Sequence, residues 1–353
     1  MNVNGQAQVV ESTAGTEAAS LPLVSVCISA YNVERFLRES LGSVLAQTYP
    51  KLEVILIDNG SADQTFEVAQ SLAGDRARCF RMPKNLGGYQ AMNEAAKMAR
   101  GELIAFYHSD DYYEPDIVAK EAAYLESHPE VGAVFCLVHF IDEHGRIFGG
   151  ADLPREFVGK ESLDYQDVFR FILRNKNILI WCPTFMVRRS VLEAVGPFNP
   201  ETYDICADLE MWLRTLRKFP IAILNERLMR YRVGAWQWSS RYRQLRTEPD
   251  LHFAVMDHYL EQDGWIQKLS RDDLVEHEFH RCDDDTYRAV NYVRLGKTER
   301  ARELLKRPYP WRTLRNGIKR RKLRLLALRA LVKCGLALGA ARPLALLLRR
   351  IGA

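Results

Sequence analysis

The sequence lacks the features that would mark an exported or membrane-spanning protein. Its seven cysteines are scattered without paired spacing, and two of them, Cys27 and Cys136, lie inside apolar runs. We therefore expect buried free thiols in a reducing compartment. Residues 1–20 contain no Lys or Arg and no long apolar stretch, so they predict a disordered leader rather than a signal peptide. No uninterrupted apolar run reaches about 18 residues, which argues against a membrane-spanning helix.

Acidic residues are scarce in the C-terminal part of the chain. Residues 299–353 contain 16 Lys or Arg but only 2 Asp or Glu, whereas the rest of the chain contains 33 basic and 43 acidic residues. An acidic body joined to a basic tail indicates an anionic partner, either a membrane surface or a nucleic acid. The length of 353 residues allows one domain of about 200–250 residues and a smaller part.

Apolar strand-like runs alternate with helix-like segments through the first third of the chain. The predicted strands cover residues 23–29, 52–57, 78–80 and 103–106. Helical spacing of apolar residues predicts helices over residues 33–47, 62–72 and 89–99 between them. Strands and helices that alternate with short connections predict a doubly wound α/β fold.

Polar side chains follow three of these strands, at the point where each strand ends. They are Tyr31-Asn32, Asp58-Asn59 and Asp110-Asp111. The carboxyl ends of parallel strands meet at one edge of a sheet, so these side chains should converge on one cleft. Asp110 and Asp111 together could bind a hard divalent cation, or they could cap the following helix. Asp58 could accept an N–H from uracil, thymine or guanine, or it could only shape a turn.

Five motifs follow one another in a recognisable order. They are Val24-Ser25-Val26-x-Ile28-x-Ala30-Tyr31-Asn32, then Ile57-Asp58-Asn59-Gly60-Ser61-x-Asp63-x-Thr65, then Asn85-x-Gly87, then Asn93 with Gly101-Glu102, and finally Asp110-Asp111. This order resembles family 2 glycosyltransferases over about residues 23–232. The resemblance implies an inverting enzyme with the GT-A fold, in which a doubly wound mixed sheet is flanked by helices, here followed by a helical C-terminal extension.

The resemblance also assigns roles to individual residues. It implies a nucleotide site composed of Ala30, Tyr31, Asn32, Glu34, Asp58, Asn59, Asn85, Gly88 and Asp110. Within that site Asp58 would contact the base, and Asp111 would bind the Mg²⁺ or Mn²⁺ ion that bridges the two phosphates. Asp208 would be the catalytic base, with Asp204 and Glu210 as less favoured alternatives.

The chain departs from the family pattern at four places. The family commonly has Asp-Asp-Gly-Ser where this chain has Asp58-Asn59-Gly60-Ser61, and Asn59 can still form hydrogen bonds. The family often has an acid where this chain has His108, which we interpret as a hydrogen-bonded structural residue rather than a metal ligand. The acid that usually precedes the catalytic Asp is replaced by Ala207. The family's His after the closing strand is missing beyond Val233, and Arg232, Arg241 or Arg243 could replace it as the cation facing the diphosphate.

We predict four segments: a leader over residues 1–20, a GT-A domain over 21–240, a helical extension over 241–310 and a basic amphipathic tail over 311–353. In the extension, His277 and His280 are predicted to lie on a solvated helix. In the tail one helical stripe contains Arg312, Arg315, Lys319, Lys322, Arg329 and Lys333. This stripe could contact an anionic bilayer, or it could be the solvated face of a helix packed on the body.

The predicted function is metal-dependent, inverting transfer of a sugar from a nucleotide diphosphate to a hydroxyl acceptor. UDP is the expected nucleotide, with dTDP and GDP as alternatives, and the acceptor is expected to be lipid-linked or a cell-surface polysaccharide. The protein would work on the cytoplasmic face of the membrane, peripherally bound, with no nucleic-acid partner. Two alternatives stay open, namely a non-catalytic protein that binds sugar nucleotides and a basic-tailed nucleic-acid-binding protein.

Overall fold

The computed structural model describes residues 21–237, 246–262, 264–314 and 320–350. The chain divides into two compact units. The described part of the first unit comprises residues 21–139, 182–196 and 223–231, and that of the second comprises residues 140–181, 197–222 and 232–350. The proposed leader over residues 1–20 lies outside the described residues.

The sheet that organises the first unit is mixed, as the resemblance predicted. Its strands are β1 (Val24–Ala30), β2 (Leu52–Asp58), β3 (Ala77–Arg81), β4 (Leu103–His108), β5 (Tyr112–Tyr113), β6 (Ala133–Ile141), β8 (Phe185–Arg188) and β9 (Ile221–Arg232), and a further strand, β7, covers Ile147–Gly150. The strand order is β3-β2-β1-β4-β8-β6-β9-β5. Strands β3, β2, β1 and β4 are parallel to one another, and β8 pairs antiparallel with β4.

The first unit contains five helices in its described part, and the first three begin and end within about three residues of the positions that the apolar spacing predicts. They are α1 (Glu34–Leu45), α2 (Thr65–Ala73), α3 (Gly88–Met98), α4 (Ile117–Ser127) and α6 (Arg189–Val195). The side chains of α1 that pack inward are at helical spacing, with Leu37, Leu41 and Val44 fully buried. Three of the four parallel strands, β1, β2 and β4, are mostly apolar and buried, as expected of strands covered on both faces. The fourth, β3, is only partly buried and contains Arg78 and Arg81.

The second unit is largely helical. Its helices are α5 (Tyr165–Asn175), α7 (Pro200–Tyr203), α8 (Ala207–Leu216), α9 (Leu251–Glu261), α10 (Trp265–Lys268), α11 (Arg271–Arg294), α12 (Thr298–Leu304), α13 (Arg320–Ala337) and α14 (Ala341–Arg350). The longest, α11, begins with a capping box: Asp273 N–H donates to Ser270 Oγ, and Ser270 N–H donates to an Asp273 carboxylate oxygen. Helix α11 ends at Arg294, and Gly296 has a left-handed φ of 75°, which is typical of the residue that follows a helix C-terminus.

Two predictions about the C-terminal part are wrong. The face of α11 that carries His277 and His280 is not solvated, because both imidazoles are buried. The tail contains two helices, α13 and α14, separated at Gly339, where we expected one. Of the predicted basic stripe, Arg312 and Lys333 are exposed, and Arg315 and Lys319 lie outside the described residues. Lys322 and Arg329 are buried, and Lys322 Nζ lies 2.6 Å from Glu276 Oε1 on α11.

The cysteine prediction is confirmed for the two residues in apolar runs. Cys27 and Cys136 are buried, and neither forms a disulfide. Among the helices of the described ranges, none is both long enough and apolar enough to cross a bilayer.

Candidate active site

Strand register brings the polar strand ends of the first unit together. Ala30 is the register partner of Asp58, and Asp58 is the register partner of Arg81. On the other side of β1, Ser29 is the partner of His108. The carboxyl ends of β3, β2, β1 and β4 therefore lie side by side along one edge, where ligands of open parallel sheets bind.

The loops after β1 and β2 bind each other through their side chains. Asn32 N–H donates to Ser61 Oγ, and Ala62 N–H donates to Asn32 Oδ1, both at 2.9 Å. Gln64 N–H donates to Glu34 Oε2 at 2.8 Å. Asn32 has a left-handed φ of 49°, a conformation that Asn tolerates better than most residues. These bonds fix the predicted nucleotide-site residues Asn32 and Glu34 against the Asp58 loop.

Gly60 allows the loop that contains Lys84 and Asn85 to pack closely against the loop after β2. Its φ is 75°, and a Cβ atom at this position would lie 2.7 Å from the carbonyl carbon of Lys84. Only glycine fits such a backbone contact. Next to it, Asn59 Nδ2 donates to Asn85 Oδ1 at 3.0 Å, and Leu86 N–H donates to Asn59 Oδ1 at 2.9 Å. Asn59 therefore connects the Asp58 loop to Asn85 through both atoms of its amide.

Asp58 is completely buried at the end of β2. Its Oδ1 accepts from Ser61 N–H at 3.3 Å, while its Oδ2 has no hydrogen-bond partner among the described residues. Oδ2 does lie 3.3 Å from Nε of Arg81, an ion-pair distance without the alignment of a hydrogen bond. Arg81 is a site residue that the sequence analysis missed, because the predicted third strand stopped at residue 80. A cation directly after that strand was the available signal.

Three potential metal-ligand side chains lie together just after β4 or at its end. One atom from each of His108, Asp110 and Asp111 lies within 4.8 Å of the others. Asp111 is fully buried, and its Oδ2 is 3.7 Å from His108 Nδ1. Burial lowers the pKa of His108, with the charge of Asp110 acting in the opposite direction, so the imidazole favours the neutral form that can ligate a metal.

A tyrosine and two serines position this group. Tyr113 Oη accepts from His108 N–H at 2.6 Å and donates to the His108 carbonyl at 3.2 Å. Ser40 Oγ donates to the same carbonyl at 3.1 Å, and Ser109 Oγ donates to the carbonyl of Ser29 at 2.9 Å. The carboxylate and imidazole donors fit a divalent cation of intermediate hardness, such as Mn²⁺, and also Mg²⁺ through the two carboxylates.

Helix α3 begins beside the Asn85 loop. Its N-cap is Gly87, which has no side chain to occupy the first free N–H groups of the helix. Gly87 N–H donates to Asn85 Oδ1 at 2.8 Å. The N-terminus of an 11-residue helix that starts at Gly88 favours a negatively charged ligand.

Asp208 lies in the second unit, in the first turn of α8. Its Oδ1 atom accepts a hydrogen bond from Leu209 N–H at 2.6 Å. The preceding Ala207 is completely buried. Asp204 has a left-handed φ of 44°, and burial raises the pKa of its carboxyl. Glu210 is buried, and its carboxylate accepts from Arg214 at 3.0 and 2.9 Å and from Tyr259 Oη at 3.1 Å.

The proposed substitutes for the missing histidine fare differently. Arg232 is 1% exposed, and its guanidinium donates to the carbonyl of Asp142 at 3.1 Å. It therefore stabilises the turn after β6, and the prediction that it faces the diphosphate is not supported by this geometry. Arg241 and Arg243 lie outside the described residues.

Known proteins resemble this chain in sequence and in fold. Residues 25–196 match the profile of Glycosyl transferase family 2. The chain is 30% identical over 215 residues to the putative teichuronic acid biosynthesis glycosyltransferase TuaG of Bacillus subtilis, covering 60% of this chain and 79% of TuaG. The structure resembles S. aureus TarS 1-349 in complex with UDP-GlcNAc, with a TM-score of 0.52 and 16% identity over 84% of this chain and 93% of TarS 1-349.

A second solved structure has the same fold. It is the mannosyltransferase PcManGT from Pyrobaculum calidifontis in complex with GDP-Man and Mn²⁺, with a TM-score of 0.51 and 18% identity over 94% of this chain and 88% of that one. At these identities the two structures establish the fold, while the sequence match to TuaG establishes the family. The chain belongs to glycosyl transferase family 2 and is a glycosyltransferase with the GT-A fold.

Proposed function

We propose that this glycosyltransferase is metal-dependent and inverting, and that it moves a sugar from a nucleotide diphosphate to a hydroxyl group. The observation that carries the proposal is the edge formed by the carboxyl ends of β2, β1 and β4. There a buried acceptor, Asp58, lies on the same sheet edge as the potential metal ligands Asp110 and Asp111.

The donor nucleotide is proposed to bind with its base at Asp58. Asp58 Oδ2, which lies at ion-pair distance from Arg81 but accepts no hydrogen bond from the described residues, would accept the imide N–H of uracil. Adenine and cytosine lack such an N–H at that edge, so UDP is the expected carrier. Thymine and guanine offer a similar N–H, and dTDP or GDP are the alternatives. The TarS and PcManGT structures contain UDP-GlcNAc and GDP-Man respectively. Ala30, Tyr31, Asn32 and Glu34 would line the pocket, with Asn85 and Gly88 beside the ribose and diphosphate.

Asp111 is proposed to bind the divalent cation, with Asp110 close to the ribose and sugar. The sequence favoured a structural role for His108, but its imidazole lies among the carboxylates of Asp110 and Asp111. We therefore propose that it can add a nitrogen ligand, which would favour Mn²⁺ over Mg²⁺ because imidazole suits transition metals. The bound cation would stabilise the negative charge that develops on the departing diphosphate. The free N–H groups at the start of α3 would favour the same negative charge.

Asp208 is proposed to be the catalytic base that accepts the proton of the acceptor hydroxyl as its oxygen attacks the anomeric carbon. One displacement inverts that carbon without a covalent intermediate. Glu210 cannot easily replace Asp208, because its carboxylate already binds Arg214 and Tyr259. Asp204 is the remaining alternative, since burial raises the pKa of its carboxyl toward the range of a base.

The acceptor is proposed to be a lipid-linked saccharide or a growing cell-surface polysaccharide, by analogy with the teichuronic acid role in the name of TuaG. Such an acceptor would require the enzyme to work at a membrane surface. We place it on the cytoplasmic face as a peripheral protein, with the helices after residue 310 facing the lipid.

Calorimetric binding of UDP, dTDP, GDP and ADP, each with Mn²⁺, with Mg²⁺ and with EDTA, tests the donor and cation. One of the first three should bind only with a divalent cation, and Asp111→Asn should remove that binding. Asp116→Asn is the matched control, because this acid five residues away pairs with Lys120 at 2.8 Å instead. Metal-independent binding, or no binding to folded protein, would overturn the donor proposal.

Transfer assays with the identified donor test the base. Asp208→Asn should reduce the transfer rate by about 10²- to 10⁴-fold and leave the nucleotide affinity unchanged. Asp204→Asn is the control, since Asn also tolerates the left-handed backbone at that position. Loss of transfer in the Asp204 variant alone would move the role to that residue. Nucleotide binding with no turnover, unaffected by Asp208→Asn, would identify a non-catalytic sugar-nucleotide-binding protein.

A further inference from the structure

The two C-terminal helices bury one face and expose another. On α13 the buried side chains include Leu325, Val332 and Leu336. The two cations that lie on the same side are directed at polar atoms of α11: Lys322 Nζ donates to Glu276 Oε1 at 2.6 Å, and Arg329 donates to Thr286 Oγ1 at 2.9 Å. Two cations of the predicted basic stripe, Lys322 and Arg329, therefore form contacts inside the second unit and do not face solvent.

The opposite face of α13 is apolar. Leu323 is 45% exposed, Leu331 38% and Leu338, just beyond the helix, 82%. Ala327 and Cys334 are also exposed, between these leucines. Residues 323, 327, 331, 334 and 338 follow one another at spacings of four, four, three and four, which places them on one side of a helix. On α14, Leu346 and Leu347 are 62% and 42% exposed. We use the name exposed leucine face for Leu323, Leu331 and Leu338, and α14 adds Leu346 and Leu347 as further exposed leucines of the tail.

The charges beside the exposed leucine face are all positive. Arg324, Lys333 and Arg342 are exposed, and none has an ion-pair partner in the described part of the chain. No Asp or Glu follows Glu303 in the sequence. By contrast, two other cations of this region are paired with acids of α11: Lys322 with Glu276, and Arg307 with Glu278 and Asp285. Arg329 donates instead to Thr286 Oγ1 and to backbone carbonyls. Arg324 and Lys333 therefore add uncompensated positive charge to the helix that carries the exposed leucine face, and Arg342 adds it to α14.

We propose that the exposed leucine face inserts shallowly into an anionic phospholipid bilayer, with Arg324, Lys333 and Arg342 at the headgroup phosphates. A bilayer interface offers an apolar layer and anionic groups a few ångströms apart, which matches leucines bordered by cations. The leucines rather than the basic residues would supply the deeper contact. The inference deepens the proposed function, on which it rests only for the membrane-borne acceptor.

Vesicle co-sedimentation of the full chain, without donor or acceptor, tests the inference. The probes are vesicles of phosphatidylcholine mixed with phosphatidylglycerol, and vesicles of phosphatidylcholine alone. Wild type should bind the anionic vesicles. Leu331→Asp with Leu338→Asp should weaken binding about tenfold or more, because charged side chains replace inserted ones. Arg324→Gln with Lys333→Gln should weaken it by about fivefold per cation removed.

Ile178→Asp is the matched control, because Ile178 is 58% exposed but lies in a loop of the second unit away from these helices in sequence. It should bind like wild type. The substituted leucines are solvent-exposed, so the variants should unfold at the wild-type temperature. If the leucine variants bind as tightly as wild type, the insertion is wrong and only electrostatic adsorption occurs.

Two other outcomes would also overturn the inference. Conversion of an oligomer to a monomer by the leucine substitutions, without vesicle binding by wild type, would make the face an interface between copies of this chain. Tight salt-dependent binding to RNA or DNA, with none to vesicles, would make the partner a nucleic acid. Because no substrate is present, a failure here is distinct from a failure of glycosyl transfer in the nucleotide and turnover assays.

Discussion

The Nε atom of Arg81 lies 3.3 Å from Oδ2 of Asp58, and the two residues are register partners on adjacent parallel strands. The Arg81 guanidinium also donates to the carbonyl of Ser61 at 3.0 Å. One arginine therefore orients both the carboxylate proposed to contact the base and the loop that follows it. The cation at this position is a consequence of sheet register.

Arg81→Ala is expected to weaken nucleotide binding about tenfold, or ~1.4 kcal/mol, because the Asp58 carboxylate and the Ser61 loop lose a common partner. Isothermal titration with the preferred nucleotide measures the change. Arg78→Ala is the matched control: it lies on the same strand with 40% exposure against 41% for Arg81, but pairs with Glu53. Equal effects of the two substitutions would show that Arg81 has no specific role at the site.

Glu210→Gln is expected to lower the free energy of unfolding by about 1–3 kcal/mol and to leave transfer by the folded enzyme unchanged. The buried carboxylate binds Arg214 in bidentate fashion and Tyr259, so its loss weakens the attachment of α9 to α8. Urea denaturation of this variant, of Tyr259→Phe and of the double variant gives the coupling between the two side chains. A loss of transfer without a loss of stability would contradict a purely structural role for Glu210.

Stability is expected to fall on acidification because of His280. Burial lowers the pKa of His280 to about 4, and its Nε2–H donates to the carbonyl of Arg174 at 2.8 Å. A histidine in the unfolded chain has a pKa of about 6.5, so the unfolded state binds the proton first. The contribution of neutral His280 to the free energy of unfolding is fully present above pH ~6.5 and is lost as the pH falls toward 4. At pH ~5 the free energy of unfolding is lower by ~2 kcal/mol for this reason.

Urea denaturation between neutral and mildly acidic pH measures this slope. His280→Gln should reduce it, because glutamine keeps a donor without taking up a proton. The slope should not vanish, since burial also lowers the pKa of His252, to about 3. His144→Gln is the control, because that imidazole is 62% exposed. An unchanged slope in the His280 variant would contradict the assignment.

Arg329→Ala is expected to lower the free energy of unfolding of the second unit by about 3 kcal/mol. The 3% exposed guanidinium donates to Thr286 Oγ1 and to the carbonyls of Leu305 and Arg307, and removal leaves these acceptors unsatisfied. Arg324→Ala, an exposed arginine on the same helix, should change it by less than about 0.5 kcal/mol. Thermal unfolding monitored by circular dichroism compares the two. Equal small effects would show that α13 is not attached through Arg329.

Local pattern was sufficient for the parallel strands β1, β2 and β4 and for the polar residues at their ends. Buried parallel strands are continuous apolar runs, so β1, β2 and β4 are visible in the sequence, and the polar residues that end them are visible with them. The connection between their ends needs only the rule that parallel strands finish at one edge. For this reason Asp58, Asp110 and Asp111 could be named from the sequence, and the structure brings the loops after β1 and β2 into direct hydrogen-bonded contact.

The tertiary structure decided what local pattern leaves undetermined. Arg81 joins the candidate site only through the register of β3 against β2. Glu210 is disfavoured as a base by its contacts with Arg214 and with Tyr259, which is 49 residues away in sequence. The tertiary structure also decided which side of helix α13 packs inward. Helical spacing identifies a stripe, but not which stripe faces inward. Acids on α11 attract Lys322 inward and the packing of α13 buries Arg329 with it, so the leucines of the opposite side face solvent.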